Sequence, residues 1–259
     1  MTELFIGWDV GAWHCDEGKS RDAVCVLKGR FPDLRLAAAP RRGNLRKAIT
    51  GQPTSPADLL AGVKNLEVPD GPKTVCIDAT LGWPAAFRQL VVGGIPTDVV
   101  GDRSDDDPYL FRRTERKLME RGFRPLSPVQ DMIGSQSTKA LHFLHRAGFQ
   151  RKHPGVWVTG PWTCIEVYPT TCRRSATLRP IFQRLRQEPL FDERIRCGEN
   201  VRTDCEDALW CALTAALWAS QPESTVPPPD DAEGTVRGEG WIWIPTDALP
   251  EESEGEVEQ

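Results

Sequence analysis

The chain has 259 residues, 39% of them hydrophobic, enough to bury one large core or two small ones. It contains no stretch of about 18 uncharged apolar residues, so no membrane span is expected. The N-terminus (MTELFIGWDVG) carries Glu3 where a secretory signal would be basic, which argues against export.

The net charge of −5 conceals an asymmetry. Residues 225–259 hold ten acidic side chains and one basic one, Arg237, leaving 31 basic against 27 acidic in residues 1–224. The body is therefore mildly basic and the tail acidic, so a nucleic-acid partner is not excluded by charge. The eight cysteines include no CxxC pair, and Cys76, Cys164 and Cys211 fall in apolar runs where a thiol behaves as a small hydrophobe. A zinc site from Cys197, Cys205 and Cys211 would match no common ligand spacing, and a reduced, cytoplasmic protein is the expectation.

Along the chain, LFIGWDV, AVCVLKG and LRLAAAP read as an antiparallel meander of three short strands. SPADLLAGVKNL then has Ser55 as a cap, Pro56 at the first helical position and apolar residues at helical spacing. TVCID (74–78) is a fourth strand, stopped by Gly82 and Pro84, and GDRSDDDPYL (101–110) is a polar loop. FRRTERKLMERGF is a charged helix ended by Gly122, and SQSTKALHFLHRAGF is a second helix closed by Gly148.

GVWVTGPWTCIEVYP reads as two apolar strands about a turn at Gly160 and Pro161. A basic helical segment from Leu178 to Arg196 follows, then a helix of about four turns, TDCEDALWCALTAALWAS. The chain thus divides into a body (1–222), a Pro- and acid-rich linker (223–239), a late strand packing back on the body (240–246) and an acidic, disordered tail (247–259). Three strands, helix, strand, helices, strand, helix resembles the order of the ribonuclease-H-like fold. That fold predicts an α/β protein with a mixed five-stranded sheet, a three-strand antiparallel meander plus two parallel strands, flanked by helices.

Several acids sit where apolar residues belong. Asp9 ends the first strand and Asp78 the fourth, while Asp204 and Asp207 lie three apart at the start of an apolar helix, able to share a face. Each has an ordinary explanation alone: helix capping for Asp204 or Asp207, a loop or strand-end bond for Asp78 and Asp9. As a set they would repel one another, and a hard divalent cation such as Mg2+, with its preference for oxygen ligands, supplies the missing charge. Gly7 and Gly11 beside Asp9 then read as room for backbone to approach an ion and a phosphate.

The first-strand Asp, the fourth-strand acid and DxxDA (Asp204, Asp207, Ala208) resemble the RuvC-type members of the ribonuclease-H-like superfamily. The series GWDVGAW, CIDATLGWP, FRRTERKLMERG, IEVYPTT, DCEDALWCALTAA and EGWIWIP, from Gly7 to Pro245, is similar to the domain of unknown function 429 family of predicted nucleases. The resemblance implies that Asp9, Asp78, Asp204 and Asp207 are catalytic, metal-binding acids for two Mg2+ or Mn2+ ions that hydrolyse phosphodiester bonds in DNA or RNA. RuvC-type enzymes usually carry Glu on the fourth strand. The shorter Asp78 weakens the expectation of the second ion. The dimeric RuvC-type resolvases leave a homodimer open.

Glu166 in TCIEVYPTT is a further candidate ligand, or else the partner of an arginine such as Arg112 or Arg113. Arg112, Arg113 and Glu115 are candidate substrate-binding residues, because Arg forks suit phosphate. His14, five residues past Asp9, is a weaker one. Trp83, Trp157, Trp162, Trp241 and Trp243 would stack bases or fill the core. Two other functions fit less of the chain. One is an inactive nucleic-acid-binding or assembly module of the same fold. The other is an actin- or sugar-kinase-like phosphotransferase, which would need a second domain and glycine-rich phosphate loops.

Overall fold

The computed structural model describes residues 3–16, 21–98, 100–191, 199–229 and 238–250. Strand β1 (Leu4–Asp9) lies inside a mixed sheet, and its side chains alternate between two buried layers. Leu4, Ile6 and Trp8 enter one hydrophobic cluster and Phe5 the other. On one side β2 (Asp22–Arg30) runs antiparallel to β1, and β3 (Asp33–Leu36) and the short β4 (Arg41–Gly43) both pair with β2. On the other side β5 (Lys73–Asp78) is parallel to β1, and β8 (Trp162–Val167) is parallel to β5. The antiparallel hairpin of β6 (Gln150–His153) and β7 (Val156–Thr159) extends the sheet beyond β8, to which β9 (Ile242–Trp243) also pairs.

The protein is therefore α/β with a mixed sheet flanked by helices, and among the described residues the sheet has nine strands instead of five. The order is β3-β2-β1-β5-β8-β7-β6, with β4 and β9 off that path. Sequence patterning misses β6 because QRKH has no apolar alternation, and as an edge strand it needs none. It misses β4 because three residues pair only with the start of β2.

Helices α1 (Arg46–Ile49), α2 (Ala85–Gly93), α3 (Arg113–Glu120), α4 (Gly134–Arg146), α5 (Pro169–Cys172), α6 (Leu178–Arg186) and α7 (Glu199–Ser220) surround the sheet. Phe143 and Leu144 of α4 pack on Ile6, Trp8, Val75 and Ile77, while α7 covers Phe5, Cys25 and Cys76 on the opposite face. The helix expected over 55–66 is a single 3-10 turn, Pro56–Leu60, because Gly62 and Asn65 take positive φ and end it. Helix α2 goes beyond the expected elements: it follows the Gly82 and Pro84 stop signals, its N-cap Pro84 offers no capping side chain, and its apolar residues are left unburied.

Trp157, Trp162, Trp241 and Trp243 are core residues, whereas Trp83 is half-buried against Phe87. Trp241 and Trp243 enter a different cluster from Ile242 and Ile244, as their alternation predicts. Residues 247–250 hold to the body through a 3-10 turn whose Asp247 accepts the Thr177 amide. Cys197, residues 192–196 of the expected basic segment, residues 230–237 of the linker and residues 251–259 of the tail lie outside the described residues. The seven described cysteines are buried, and no described helix is long and apolar enough to cross a membrane.

Candidate functional site

Parallel pairing of β1 and β5 sets Asp9 opposite Asp78 in register, at the C-terminal ends of adjacent strands. The two-residue period puts Phe5, Gly7 and Asp9, like Cys76 and Asp78, on the face covered by α7. Gly7 is what lets α7 come this close: a Cβ there would stand 1.8 Å from the Ala208 carbonyl oxygen and 2.5 Å from the Ala212 nitrogen. Asp204 lies one turn before Ala208, and Asp207 beside it, so this contact aims both at the end of β1. The glycines flanking Asp9 thus serve packing, not an ion: a Cβ on Gly11 would meet the Asp22 nitrogen at 2.6 Å.

Helix α7 begins at Glu199, so Asp204 and Asp207 sit beyond its first turn and do not cap it. Burial pushes the Asp9 carboxyl well above the usual range, and Asp78, Asp207, Asp204 and Asp22 push it further. Asp78 is raised to about 8 by burial, then by Asp207 and Glu166, against the lowering influence of Arg173. Asp207 is raised by burial, which Arg173 only partly offsets. Among the described residues neither Asp9 nor Asp78 accepts a side-chain hydrogen bond.

The α7 acids differ in having cationic partners. Asp204 accepts from Arg42 Nε at 2.7 Å and from the Arg21 amide at 3.0 Å. Asp207 accepts from Arg173 Nη2 at 2.5 Å. Among the described residues no group of three His, Cys, Asp or Glu side chains is arranged to hold a metal ion. The donor set still fits a hard divalent cation in kind. It offers carboxylate oxygens only, and two of the carboxylates, Asp9 and Asp78, lie half-buried beside each other without a side-chain donor among the described residues.

Glu166 is turned away from this set. It pairs in register with Ile77, not Asp78, and so points to the sheet's other face. There it takes Arg112 Nη1 at 2.9 Å, Arg112 Nη2 at 2.5 Å and the Leu81 amide at 2.8 Å. Arg112 is fully buried and also grips Glu115, itself fully buried, and the Glu239 carbonyl. Against the expectation of a phosphate contact, Arg112 has no free fork: one guanidinium satisfies two carboxylates in the core, while Glu115 also lines a cleft at the strand ends. Arg113 is partly buried, and its amide donates to Glu239. His14 is exposed, with its Nδ1 2.8 Å from Arg46 Nη1.

Two features escaped the sequence reading. Asp22 and Lys139 form a fully buried ion pair at 2.5 Å; Asp22 also accepts the Trp8 indole and the Gly11 and Leu45 amides, while Lys139 donates to the Gly11 and Ala12 carbonyls. The pair fastens the turn that follows Asp9. Asp22 gives a signal of the same kind as Asp9, an acid at the end of an apolar strand, here its first residue. Glu239 in turn accepts the amides of Ala85 and Arg113, the first residues of α2 and α3.

A cleft of about 190 Å³ opens where these strands end, lined by Asp9, Asp78, Thr80, Gln136, Glu166 and Tyr168 among others. A larger groove of about 320 Å³ beside Leu118, Pro228 and Ile244 has no carboxylate in its lining. Comparison of the chain with protein-family models, curated proteins and solved structures returns no match.

Proposed function

We propose that the chain is a metal-dependent nuclease of ribonuclease-H-like fold, hydrolysing phosphodiester bonds in DNA or RNA. The observation that carries this reading is the in-register pair Asp9 and Asp78, half-buried without side-chain hydrogen-bond donors among the described residues and faced by Asp204 and Asp207. The order β3-β2-β1-β5-β8, with β2 antiparallel to both its neighbours and β1, β5 and β8 mutually parallel, supports the fold assignment.

Asp9 and Asp78 would hold a Mg2+ or Mn2+ ion with Asp204 or Asp207. Such an ion supplies Lewis-acid activation of water and neutralises charge on phosphate. The chain's own contribution is positional. Asp9 and Asp78 are fixed by strand register, the α7 acids by the Gly7 contact, and the turn after Asp9 by Asp22 and Lys139. A cation relieves the repulsion that raises Asp9 and Asp78, so its binding energy is drawn from strain built into the fold.

The test is cleavage of single-stranded, duplex, hybrid, branched and RNA substrates with Mg2+ or Mn2+, comparing wild type with Asp9→Asn and Asp78→Asn. Cutting by wild type that both variants lose is the expected result. A wild type that cuts none of them, or variants that cut equally well, would refute the reading.

A further inference from the structure

The counter-ions of the acids suggest how the cleft would hold its substrate. Arg173 follows α5, off the end of β8, and donates to Asp207. Its charge also acts on Asp78, so it reaches two of the four acids. Yet its side chain is 48% exposed, so the same guanidinium faces solvent at the rim of the acid set. Arg42, on the other flank, is held more closely, its side chain 14% exposed against a buried Asp204 that the Arg21 amide also binds.

We infer that Arg173 is a substrate-binding residue that exchanges partners: it leaves Asp207 for a phosphate oxygen of nucleic acid when Asp207 takes up a divalent cation. This rests on the nuclease reading above. A guanidinium fork fits phosphate as well as it fits carboxylate, so one charge-assisted contact replaces another. Asp207 is not left bare, because the cation replaces the arginine. Arg173 thereby supplies the phosphate contact that Arg112, sealed in the core, does not.

The exchange predicts effects of opposite sign, which loss of a merely structural residue would not give. Mn2+ affinity would be measured calorimetrically without nucleic acid. Oligonucleotide affinity would be measured by fluorescence anisotropy in Ca2+ across a salt series. Removing the competitor in Arg173→Ala is expected to tighten Mn2+ binding about two- to fivefold, the range for a half-exposed ion pair. The same variant should bind the oligonucleotide about tenfold more weakly, the loss of one charged hydrogen bond. Its log–log salt slope should shrink by about 0.7–0.9, one phosphate contact. Arg173→Lys should recover part of the oligonucleotide affinity, and Arg179→Ala, the same charge change at an exposed position of α6, should leave Mn2+ affinity unchanged.

Arg173→Ala with wild-type oligonucleotide affinity and salt slope, or with weakened Mn2+ binding, overturns the exchange. If wild type binds Mn2+ and cuts while Arg173→Ala matches it throughout, only the role of Arg173 falls. A wild type that binds neither Mn2+ nor oligonucleotide overturns the exchange and the nuclease reading together.

Discussion

Asp9 and Asp78 face each other across two parallel strands, and among the described residues neither carboxylate accepts a side-chain hydrogen bond. By contrast, the buried carboxylates Asp22, Glu166, Glu115 and Glu239 have donors among the described residues: Lys139 for Asp22, Arg112 for Glu166 and Glu115, and two helix amides for Glu239. The contrast marks the Asp9–Asp78 pair as the place where the fold tolerates repulsion instead of neutralising it.

That repulsion has a pH signature. Asp78 titrates near its ordinary 3.8 in the unfolded chain and at about 8 in the folded protein. Between those values the folded state keeps a proton that the unfolded state has released. Its stability therefore falls as pH rises from about 4 to about 8. Asp78→Asn removes the contribution of Asp78 and part of that of Asp9, which Asp78 also raises. With chelator present, calorimetric melting should show little difference at about pH 4 and a Tm gain of about 5 °C for the variant at about pH 8. A variant that melts no higher than wild type at the upper pH would contradict the assignment.

Divalent cation should act in the opposite direction to that repulsion. At 100 times its dissociation constant, Mn2+ should stabilise wild type by about 2.7 kcal/mol, or about 5–10 °C in Tm. Asp9→Asn and Asp78→Asn should each lose most of that shift. An unchanged wild-type Tm across a Mn2+ titration would count against the acids as ligands.

The Asp22–Lys139 pair should matter for stability. Lys139→Met leaves a buried, uncompensated Asp22 beside the turn after Asp9, at a cost of about 3–5 kcal/mol. The double variant Asp22→Asn with Lys139→Met should recover part of that loss, because no bare charge remains. Urea denaturation of the four proteins gives the coupling directly, and additive effects would show that the pair is not coupled.

Gly7→Ala tests the scaffold without touching an acid. Its Cβ would collide with the Ala208 carbonyl, so α7 must move and carry Asp204 and Asp207 with it. Destabilisation of about 1–3 kcal/mol or more is expected. Mn2+ should then give a smaller thermal shift although all four acids are present. A wild-type Mn2+ response would show that α7 need not sit on Gly7.

Asp9, Asp78, Asp204 and Asp207 could be picked out along the chain because an acid inside or beside an apolar run is locally conspicuous. The meander, the parallel strand TVCID and the α7 helix were visible for the same reason, as apolar runs of the right period and length. What failed to show was whatever lacked such contrast. The polar edge strand β6 and the three-residue β4 carry no periodic signal, and α2 starts directly after a stop signal, without a capping side chain at its N-cap.

By itself, then, the sequence determined which residues are misplaced acids and which segments are buried. Only the tertiary structure decided which of those acids remain unpaired. Strand register set Asp9 against Asp78, and alternation turned Glu166 to the opposite face. Chain crossings far apart in sequence brought Arg112 to Glu166, Arg42 to Asp204 and Arg173 to Asp207. A carboxylate's neighbours within hydrogen-bond reach depend on register, facing and crossover, and those are properties of the assembled sheet and not of any one segment.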